Sequence, residues 1–197
     1  MRVKSFLGHE RSDAAVISDS LGRPEAFETI FERHFEAIHR YLARRAGGGR
    51  ADDLASATFV VAFEHRNAFR DESSSARPWL FGIATNLLRN DERAEQRALS
   101  ALARVASDGD RGRLDAVDPT SFDLVPLLAA LDVEQRDVLV LYAWEDLSYR
   151  EIATALGIPV GTVRSRLARA RSRLRAGLDD ERSRSSRPGI DQQEVTE

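Results

Sequence analysis

The segment GTVRSRLARARSRLR, residues 161–175, contains six arginines and no acidic residue. The whole chain of 197 residues has a formal net charge of −3, so this positive charge is concentrated locally. Arginine pairs well with phosphate groups and with the edge of guanine, because its guanidinium presents several N–H donors in one plane. A helix that binds nucleic acid therefore competes with two alternatives, a solvated surface helix and a coiled-coil strand.

Helical spacing places the apolar residues of this segment in a narrow stripe. At about 100° per residue, Val163, Leu167, Ala170 and Leu174 fall in one arc, with arginines on both sides of it. The stripe predicts a helix that packs on its own domain. A coiled coil is disfavoured, because the apolar pattern covers too few heptads and no acidic residues balance the arginines.

The preceding segment, LSYREIATALG, predicts a short helix with clear ends. Ser148 and Glu151 form a capping-box pattern at its start, and Gly157 suits the left-handed conformation at its end. The connection IPVG then leads into the arginine-rich helix. Two short helices joined in this way, the second of them basic, are typical of a DNA-binding helix-turn-helix.

In a helix-turn-helix, the first residues of the second helix enter the major groove. Direct reading of the bases is therefore predicted for Thr162, Arg164, Ser165 and Arg166. Phosphate contacts are predicted further along the helix, for Arg169, Arg171 and Arg173. Simple solubility remains the alternative role for Arg173 and Arg175.

The rest of the chain also has helical periodicity. One helix is predicted over 13–45, ended by the glycines at 47–49, and a second is predicted to begin near Asp52 and Asp53, where acidic side chains favour the helix dipole. Pro78 suits the first turn of a third helix. No segment sustains the alternation of a β-strand, so the predicted fold class is all-α.

Composition divides this helical chain into two parts. Residues 107–120 are rich in Gly, Asp and Pro and lose the apolar spacing, which predicts a flexible acidic linker. Beyond it, Asp132 and Gln135 form a second capping-box pattern that opens a helix before the helix-turn-helix. Residues 179–197 are predicted to be a disordered tail. We therefore expect two small helical domains on a tether.

The sequence offers no candidate catalytic or metal-binding site. The chain has no cysteine, which excludes disulfides and thiolate metal sites. His34 and His39 are poorly spaced to share a metal on one helix face, and no phosphate-binding Gly-rich loop with its lysine occurs. No apolar run approaches the ~18 residues of a membrane span. We expect a soluble, cytoplasmic protein without cofactor, metal or membrane insertion that is not an enzyme.

Three stretches of the sequence carry a family resemblance. DDLASATFVVAFEHRNAF (52–69) and RPWLFGIATNLLRNDER (77–93) resemble region 2 of the sigma-70 family, in particular its extracytoplasmic-function (ECF) group. LDVEQRDVLVLYAWEDLSYREIATALGIPVGTVRSRLARARSRLR (131–175) resembles region 4 of the same group. The resemblance implies a region 2 domain at 24–106 after an N-terminal extension at 1–23, the linker at 107–120, a region 4 domain at 121–178, and the tail at 179–197.

The resemblance implies a sigma factor that recognises the −35 and −10 promoter elements and promotes strand opening. Its implied partners are core RNA polymerase, through the clamp helices of the largest subunit and the flap of the second-largest, promoter DNA, and an anti-sigma factor. The acidic linker would imitate nucleic acid in the polymerase channel or act as a plain tether.

The resemblance also implies roles for residues of the first domain. Polymerase contacts are implied for Asp52, Asp53, Ser56, Ala57 and Phe63, although many family members have Gln-Glu where this chain has Ser-Ala. Contacts to the −10 element are implied for Phe69, Asn86, Arg89, Asn90 and Arg93. Phe69 and Trp79 could stack on bases, and the alternative is that both are core aromatics. For Asp52 and Asp53, the alternative role is to stabilise the start of a helix.

Two other functions remain open from the sequence. One is a helix-turn-helix regulator whose N-terminal half binds a ligand or a phosphodonor, which would need a receiver-like pattern or a pocket. The other is a polymerase-binding antagonist that has lost DNA recognition, in which case Arg164 and Arg166 would be dispensable.

Overall fold

The computed structural model describes residues 11–70, 75–105, 127–128 and 130–185, and this part of the chain contains helices and no strand. The all-α prediction is therefore confirmed. Two 3₁₀ turns, Pro24–Phe27 and Arg66–Ala68, flank the longer elements. The helices are α1 (Asp13–Ser20), α2 (Glu28–Ala46), α3 (Gly48–Glu64), α4 (Arg77–Val105), α5 (Val133–Ala143), α6 (Tyr149–Leu156) and α7 (Val160–Ser185).

The prediction of one helix over 13–45 is wrong, because the structure has two helices there. The carbonyl of Asp19 accepts from the N–H groups of both Gly22 and Arg23, which ends α1. Pro24 follows, and proline disfavours helical geometry at the residue before it. Arg23 accordingly has φ −135° and ψ 85°, and the chain turns before α2 begins.

Helix α3, which corresponds to the second helix predicted from the sequence, begins earlier than predicted. Gly47 has φ +79°, a conformation that glycine adopts without steric cost, so the break falls at this residue and α3 begins at Gly48. Asp52 and Asp53 consequently lie in the second turn, and the first turn contains no acidic residue. The interpretation of these aspartates as helix-start residues is therefore wrong.

Helices α1–α4, here called the N-terminal group, share an apolar core. Ile30, Ile38, Tyr41 and Phe81 are fully buried in it, and the ring of Tyr41 meets that of Phe81 edge-on. The Tyr41 hydroxyl lies 2.8 Å from that of Thr85, and burial raises the pKa of Tyr41 to about 12. The rings thus fix α2 against α4, the helix that carries the predicted −10 residues.

A buried carboxylate ties α1 to this core. Asp13 accepts hydrogen bonds from the backbone N–H of Ala76 and from the His34 ring, both at 2.7 Å, and from Arg33 at 3.0 Å. Burial alone would raise the pKa of Asp13, but the hydrogen bonds from His34 and Ala76 outweigh it and hold the pKa well below its ordinary value. Asp13 therefore joins α1, α2 and the residue before α4.

Helices α5–α7, here called the C-terminal group, form a smaller helical unit. The predicted capping box of α6 is confirmed, since Ser148 and Glu151 each bond the other's backbone N–H. The one predicted at Asp132 is wrong, because the Asp132 side chain makes no capping hydrogen bond and the Gln135 side chain donates to the Asp132 carboxylate instead of accepting from the Asp132 backbone N–H. Helix also continues to Ser185, so residues 179–185 differ from the predicted disordered tail. The predicted linker at 107–120 lies outside the described residues.

Candidate nucleic-acid and polymerase-binding surfaces

Helices α6 and α7 form the predicted helix-turn-helix. Gly157 adopts the left-handed conformation with φ +63° and ends α6, and α7 begins three residues later at Val160. Val163 and Leu167 at the start of α7 are buried, with exposed fractions of 0% and 1%. The apolar stripe thus packs α7 on its own group and leaves the flanking arginines at the surface.

The exposed face of α7 presents part of the predicted −35 set. Arg164, Ser165 and Arg169 are exposed, and Thr162 is half-buried beside them. Arg164 and Arg169 make no ion pair within the described part of the chain. Two unpaired guanidinium groups near the start of a helix-turn-helix second helix are suited to a polyanionic duplex.

The other predicted arginines of α7 have partners in the C-terminal group. Arg166 lies 2.5 Å from Glu134, and Arg173 lies 2.8 Å from Asp132. The Arg171 guanidinium sits 4.9 Å from the centre of the Tyr142 ring. The sequence could not show these contacts, which hold the arginine side chains in place. DNA binding would have to replace them with contacts between the arginines and DNA.

The four predicted −10 residues that lie on α4 divide over two of its faces. Asn86, Asn90 and Arg93 are exposed, and their spacing of four and three residues places them on one helix face. Arg89 is only 20% exposed and points instead to Asp137 of α5, with its Nε 2.6 Å from that carboxylate. The structure therefore separates Arg89 from the exposed asparagine face.

Phe69 and Trp79 form one aromatic pair. Their ring centres are 5.1 Å apart, and both side chains are half-buried against the core. Together with Arg70, Pro78 and Arg150 they line a cavity of about 280 Å³ between the two helix groups. Phe69 thus packs against the core, as its alternative interpretation as a core aromatic predicts, and its side chain also lines the cavity. Residues 71–74 of the predicted loop lie outside the described part of the chain.

The predicted polymerase-binding residues lie along α3. Asp52, Asp53 and Ser56 are exposed, and Asp52 lies 2.8 Å from the His39 ring. Ala57 is half-buried. Phe63 is half-buried too, because its ring packs edge-on against Phe27 and under the Arg66 guanidinium, so neither Ala57 nor Phe63 is fully exposed.

An apolar patch that the sequence analysis missed extends this acidic face. Val60 of α3 and Phe31 of α2 are 56% and 41% exposed, and the Phe31 ring contacts both Phe35 and Phe59. Phe31 has helical spacing from the buried residues Phe27, His34 and Ile38, so its position on the helix alone would predict burial. Its partial exposure depends on how α2 and α3 cross, which the periodicity of one helix does not specify.

The described residues contain no group of three or more His, Cys, Asp or Glu side chains that could hold a metal ion. Among them, no helix is both long enough and apolar enough to cross a membrane.

Comparison with protein-family models gives two matches in the order that the sequence resemblance implies. Residues 30–98 match the model described as Sigma-70 region 2, and residues 122–174 match the model described as Sigma-70, region 4. The first match contains α3 and most of α4, and the second contains the helix-turn-helix.

Curated and solved proteins give the same result. The chain is 33% identical over 177 residues to a probable RNA polymerase sigma-C factor of Mycobacterium bovis, covering 86% of this chain and 92% of that protein. It is similar to CnrH, solved in complex with the cytosolic domain of CnrY, with 32% identity and a TM-score of 0.61 over 85% of this chain and 97% of that one. It is also similar to the sigma factor RpoE of Bartonella quintana, solved with the anti-sigma factor NepR, with 26% identity and a TM-score of 0.57 over 78% and 96%. The chain is also 34% identical over 170 residues to the ECF RNA polymerase sigma factor SigM of Mycobacterium tuberculosis, covering 84% of each chain. With both regions matched and most of the chain aligned, this protein belongs to the ECF group of the sigma-70 family of RNA polymerase sigma factors.

Proposed function

We propose that this chain binds core RNA polymerase, reads the −35 element with α7 and the −10 element with α4, and promotes strand opening there. The observation that carries this proposal is the pair of exposed guanidinium groups of Arg164 and Arg169 on the second helix of a helix-turn-helix, in a chain that also matches region 2. Arginine donors can pair with a guanine edge and with phosphates.

The −10 element would meet the exposed face of α4. Asn86 and Asn90 present amides that can hydrogen-bond an unpaired base, and Arg93 adds a positive charge for the backbone. The Phe69–Trp79 pair leaves an aromatic edge on the neighbouring cavity, which supports stacking as an additional contact.

Core polymerase would contact the α3 face. Asp52, Asp53 and Ser56 supply exposed polar groups, while Phe31 and Val60 add an apolar surface of the kind that a partner buries. The clamp helices of the largest subunit are the proposed partner here, and the flap of the second-largest subunit is proposed for the C-terminal group.

The polymerase would supply the phosphoryl-transfer chemistry, so we propose that this chain is not itself an enzyme. It would act in the cytoplasm with the polymerase. An anti-sigma factor is a further proposed partner, because two similar proteins were solved with CnrY and with the anti-sigma factor NepR.

The deciding experiment is run-off transcription with purified core polymerase on a fragmented genomic library, followed by a single promoter that it identifies. Arg164→Ala should weaken that promoter by about 5- to 150-fold, the value of one base-contacting arginine of ~1–3 kcal/mol. Arg175→Ala, the same change at an exposed position further along the same helix, is its control. Asn86→Ala should also reduce transcription, with Gln96→Ala of the same helix as its control.

Two results would contradict the proposal. Stable binding to core without specific transcripts would favour the antagonist. No binding to core at all would leave an ordinary helix-turn-helix regulator.

A further inference from the structure

Helix α1 contacts the chain on both sides of the connection between α3 and α4. Ser20, at the end of α1, is fully buried, and its backbone carbonyl accepts from the Nε of Arg66 at 3.3 Å. At the other end of the helix, the Asp13 carboxylate accepts from the backbone N–H of Ala76 at 2.7 Å. Helix α1 therefore bridges the 3₁₀ turn that follows α3 and the residue that precedes α4.

The side chain of Arg66 also ties this 3₁₀ turn to α3. Its Nη1 donates to the carbonyl of Phe63 at 2.5 Å, and its guanidinium lies 3.9 Å from the centre of the Phe63 ring. The carbonyl of Arg66 accepts in turn from the N–H of Phe69 at 3.3 Å. A planar guanidinium presents several donors in fixed directions, so it can hold two carbonyl groups at once. The position of Phe69 thus depends on a residue that α1 and α3 hold together.

The carboxylate of Asp13 fixes the start of α4. Ala76 is fully buried, and its carbonyl accepts from the N–H of Leu80 at 2.9 Å in the first turn of that helix. The N–H groups at a helix start have no partner within the helix, and Asp13 supplies one for Ala76. His34 and Arg33 of α2 hold the same carboxylate at 2.7 and 3.0 Å. Charge-assisted hydrogen bonds therefore set where α4 begins relative to α1 and α2.

The aromatic ring of Phe69 lies between these two anchors. Its centre is 5.1 Å from that of Trp79 in α4. Phe69 also lines a cavity of about 480 Å³, to which α1 contributes Ala14 and Ile17. Because this cavity leaves space beside Phe69, packing alone does not fix the ring, and the hydrogen bonds made by α1 supply the remaining constraint.

We propose that α1 positions the residues that read the −10 element. Asp13 and Arg66 set the place of Phe69 relative to α4, and thereby relative to Asn86 on the same helix. The eight residues of α1 span about 12 Å at about 1.5 Å per residue and act as a spacer of fixed length. Helix α1 precedes residues 30–98, so the match to region 2 does not include it. This inference rests on the proposed function, in which Phe69 and Asn86 contact the −10 element.

Positioning of this kind affects selectivity more than overall binding. Hydrogen bonds to a base weaken steeply with distance and angle, whereas contacts to phosphate carry no sequence information. Discrimination at one base pair is worth about 5- to 150-fold. Loss of the α1 anchors should therefore lower selectivity at the −10 element. Selectivity at the −35 element, for which α7 is proposed, should stay unchanged.

The test measures two selectivity ratios with the full chain and core polymerase. On the promoter found by run-off transcription, the first ratio compares the native −10 element with a single-base substitution that Asn86→Ala no longer discriminates. The second ratio makes the same comparison for a −35 base that depends on Arg164. The fraction of folded protein cancels in each ratio, so a variant that is only less stable changes neither.

Two variants remove the two anchors. Asp13→Ala removes the carboxylate acceptor, and Arg66→Met removes the guanidinium donors but keeps an unbranched side chain. Each should lower the −10 ratio at least about fivefold and leave the −35 ratio unchanged. Asp19→Ala and Arg23→Met remove the same charges from an ion pair at the surface and should keep both parent ratios. Arg66 is only half-buried, so Arg66→Met tests the inference even where Asp13→Ala fails to fold.

The displacement itself can be measured in the free protein. The chain has two tryptophans, so labelling with fluorinated tryptophan gives one fluorine resonance for Trp79 and one for Trp144. Asp13→Ala and Arg66→Met should shift the Trp79 resonance, because its ring contacts Phe69. Trp144, which lies beside Arg44, is the internal reference. A Trp79 resonance that stays unchanged in both variants would contradict the inference.

The transcription assay has two further results that would overturn the inference. Variants that transcribe less from every template but keep the parent −10 ratio would show that α1 only stabilises the fold. Ratios that fall equally at both elements would show an effect that is not confined to the −10 element. A parent chain that gives no specific transcripts would refute the proposed function, and the inference with it, before any variant is compared.

Discussion

Asp13→Asn tests whether a buried carboxylate outside the family-matched residues 30–98 stabilises the N-terminal group. The carboxylate accepts from Ala76, His34 and Arg33, and Asp13 is 6% exposed. An amide at this position replaces one acceptor oxygen by a donor that faces other donors. Breaking a buried charged pair costs about 3–5 kcal/mol, which corresponds to a fall in Tm of roughly 10 °C or more in a unit of this size.

The measurement is thermal and urea unfolding followed by circular dichroism. Asp19→Asn in the same helix is the control, because the partners of Asp19, Arg11 and Arg23, are both exposed. Its stability should stay close to that of the parent. Equal unfolding midpoints for the two variants would refute the reasoning.

The same carboxylate predicts a pH dependence. The pKa of folded Asp13 lies below that of the unfolded chain, so its stabilisation is fully present above the unfolded value of about 3.9. It is lost as the pH falls below that value and through the folded pKa. The stability difference between the parent and Asp13→Asn should therefore be constant near neutrality and shrink in acid, which unfolding curves across the acid range would show.

Two further predictions concern the C-terminal group. Ser148→Ala removes the capping box of α6 and should cost about 1 kcal/mol of unfolding free energy in urea titrations, whereas Ser172→Ala at an exposed site should cost little. Burial raises the pKa of Glu145, so the folded state favours the neutral side chain, and Glu145→Gln should increase the free energy of unfolding at neutral pH in the same urea titrations. An unchanged or lower free energy of unfolding would contradict this prediction.

Local signals in the sequence predicted the helix-turn-helix well. The stripe of Val163, Leu167 and Ala170 depends only on the 100° period of one helix, and the ends at Ser148 and Gly157 depend on residues within one turn. These features are fixed by short-range geometry, which a single sequence contains in full.

The break in the first predicted helix was missed because apolar spacing continues on both sides of it. Gly22 and Pro24 are the local signals of this break, and the prediction of one helix over 13–45 gave the continuing apolar spacing more weight than these two residues. The early start of α3 has a similar origin, since a glycine run marks a break without indicating which glycine takes the positive φ.

The contact between the groups was beyond the reach of local patterns. Asp137 directly precedes the apolar run VLVL and is fully buried, and its partner Arg45 is 92 residues away in sequence. A helical wheel shows that a charge lies on an apolar face and cannot show what neutralises it. Only the packing of α5 against α2 and α4 supplies that information.

The position of Arg89 determines how its role can be established. Arg89 is both a predicted −10 contact and a partner of Asp137, so Arg89→Ala removes a DNA contact and a docking contact together. Loss of transcription in that variant would therefore not identify either role. Asp137 lies in the other helix group and is not among the predicted DNA contacts, so Asp137→Asn releases Arg89 without removing it. Changing the aspartate therefore separates the two roles, because transcription by Asp137→Asn reports on Arg89 as a DNA contact in the absence of its ion pair.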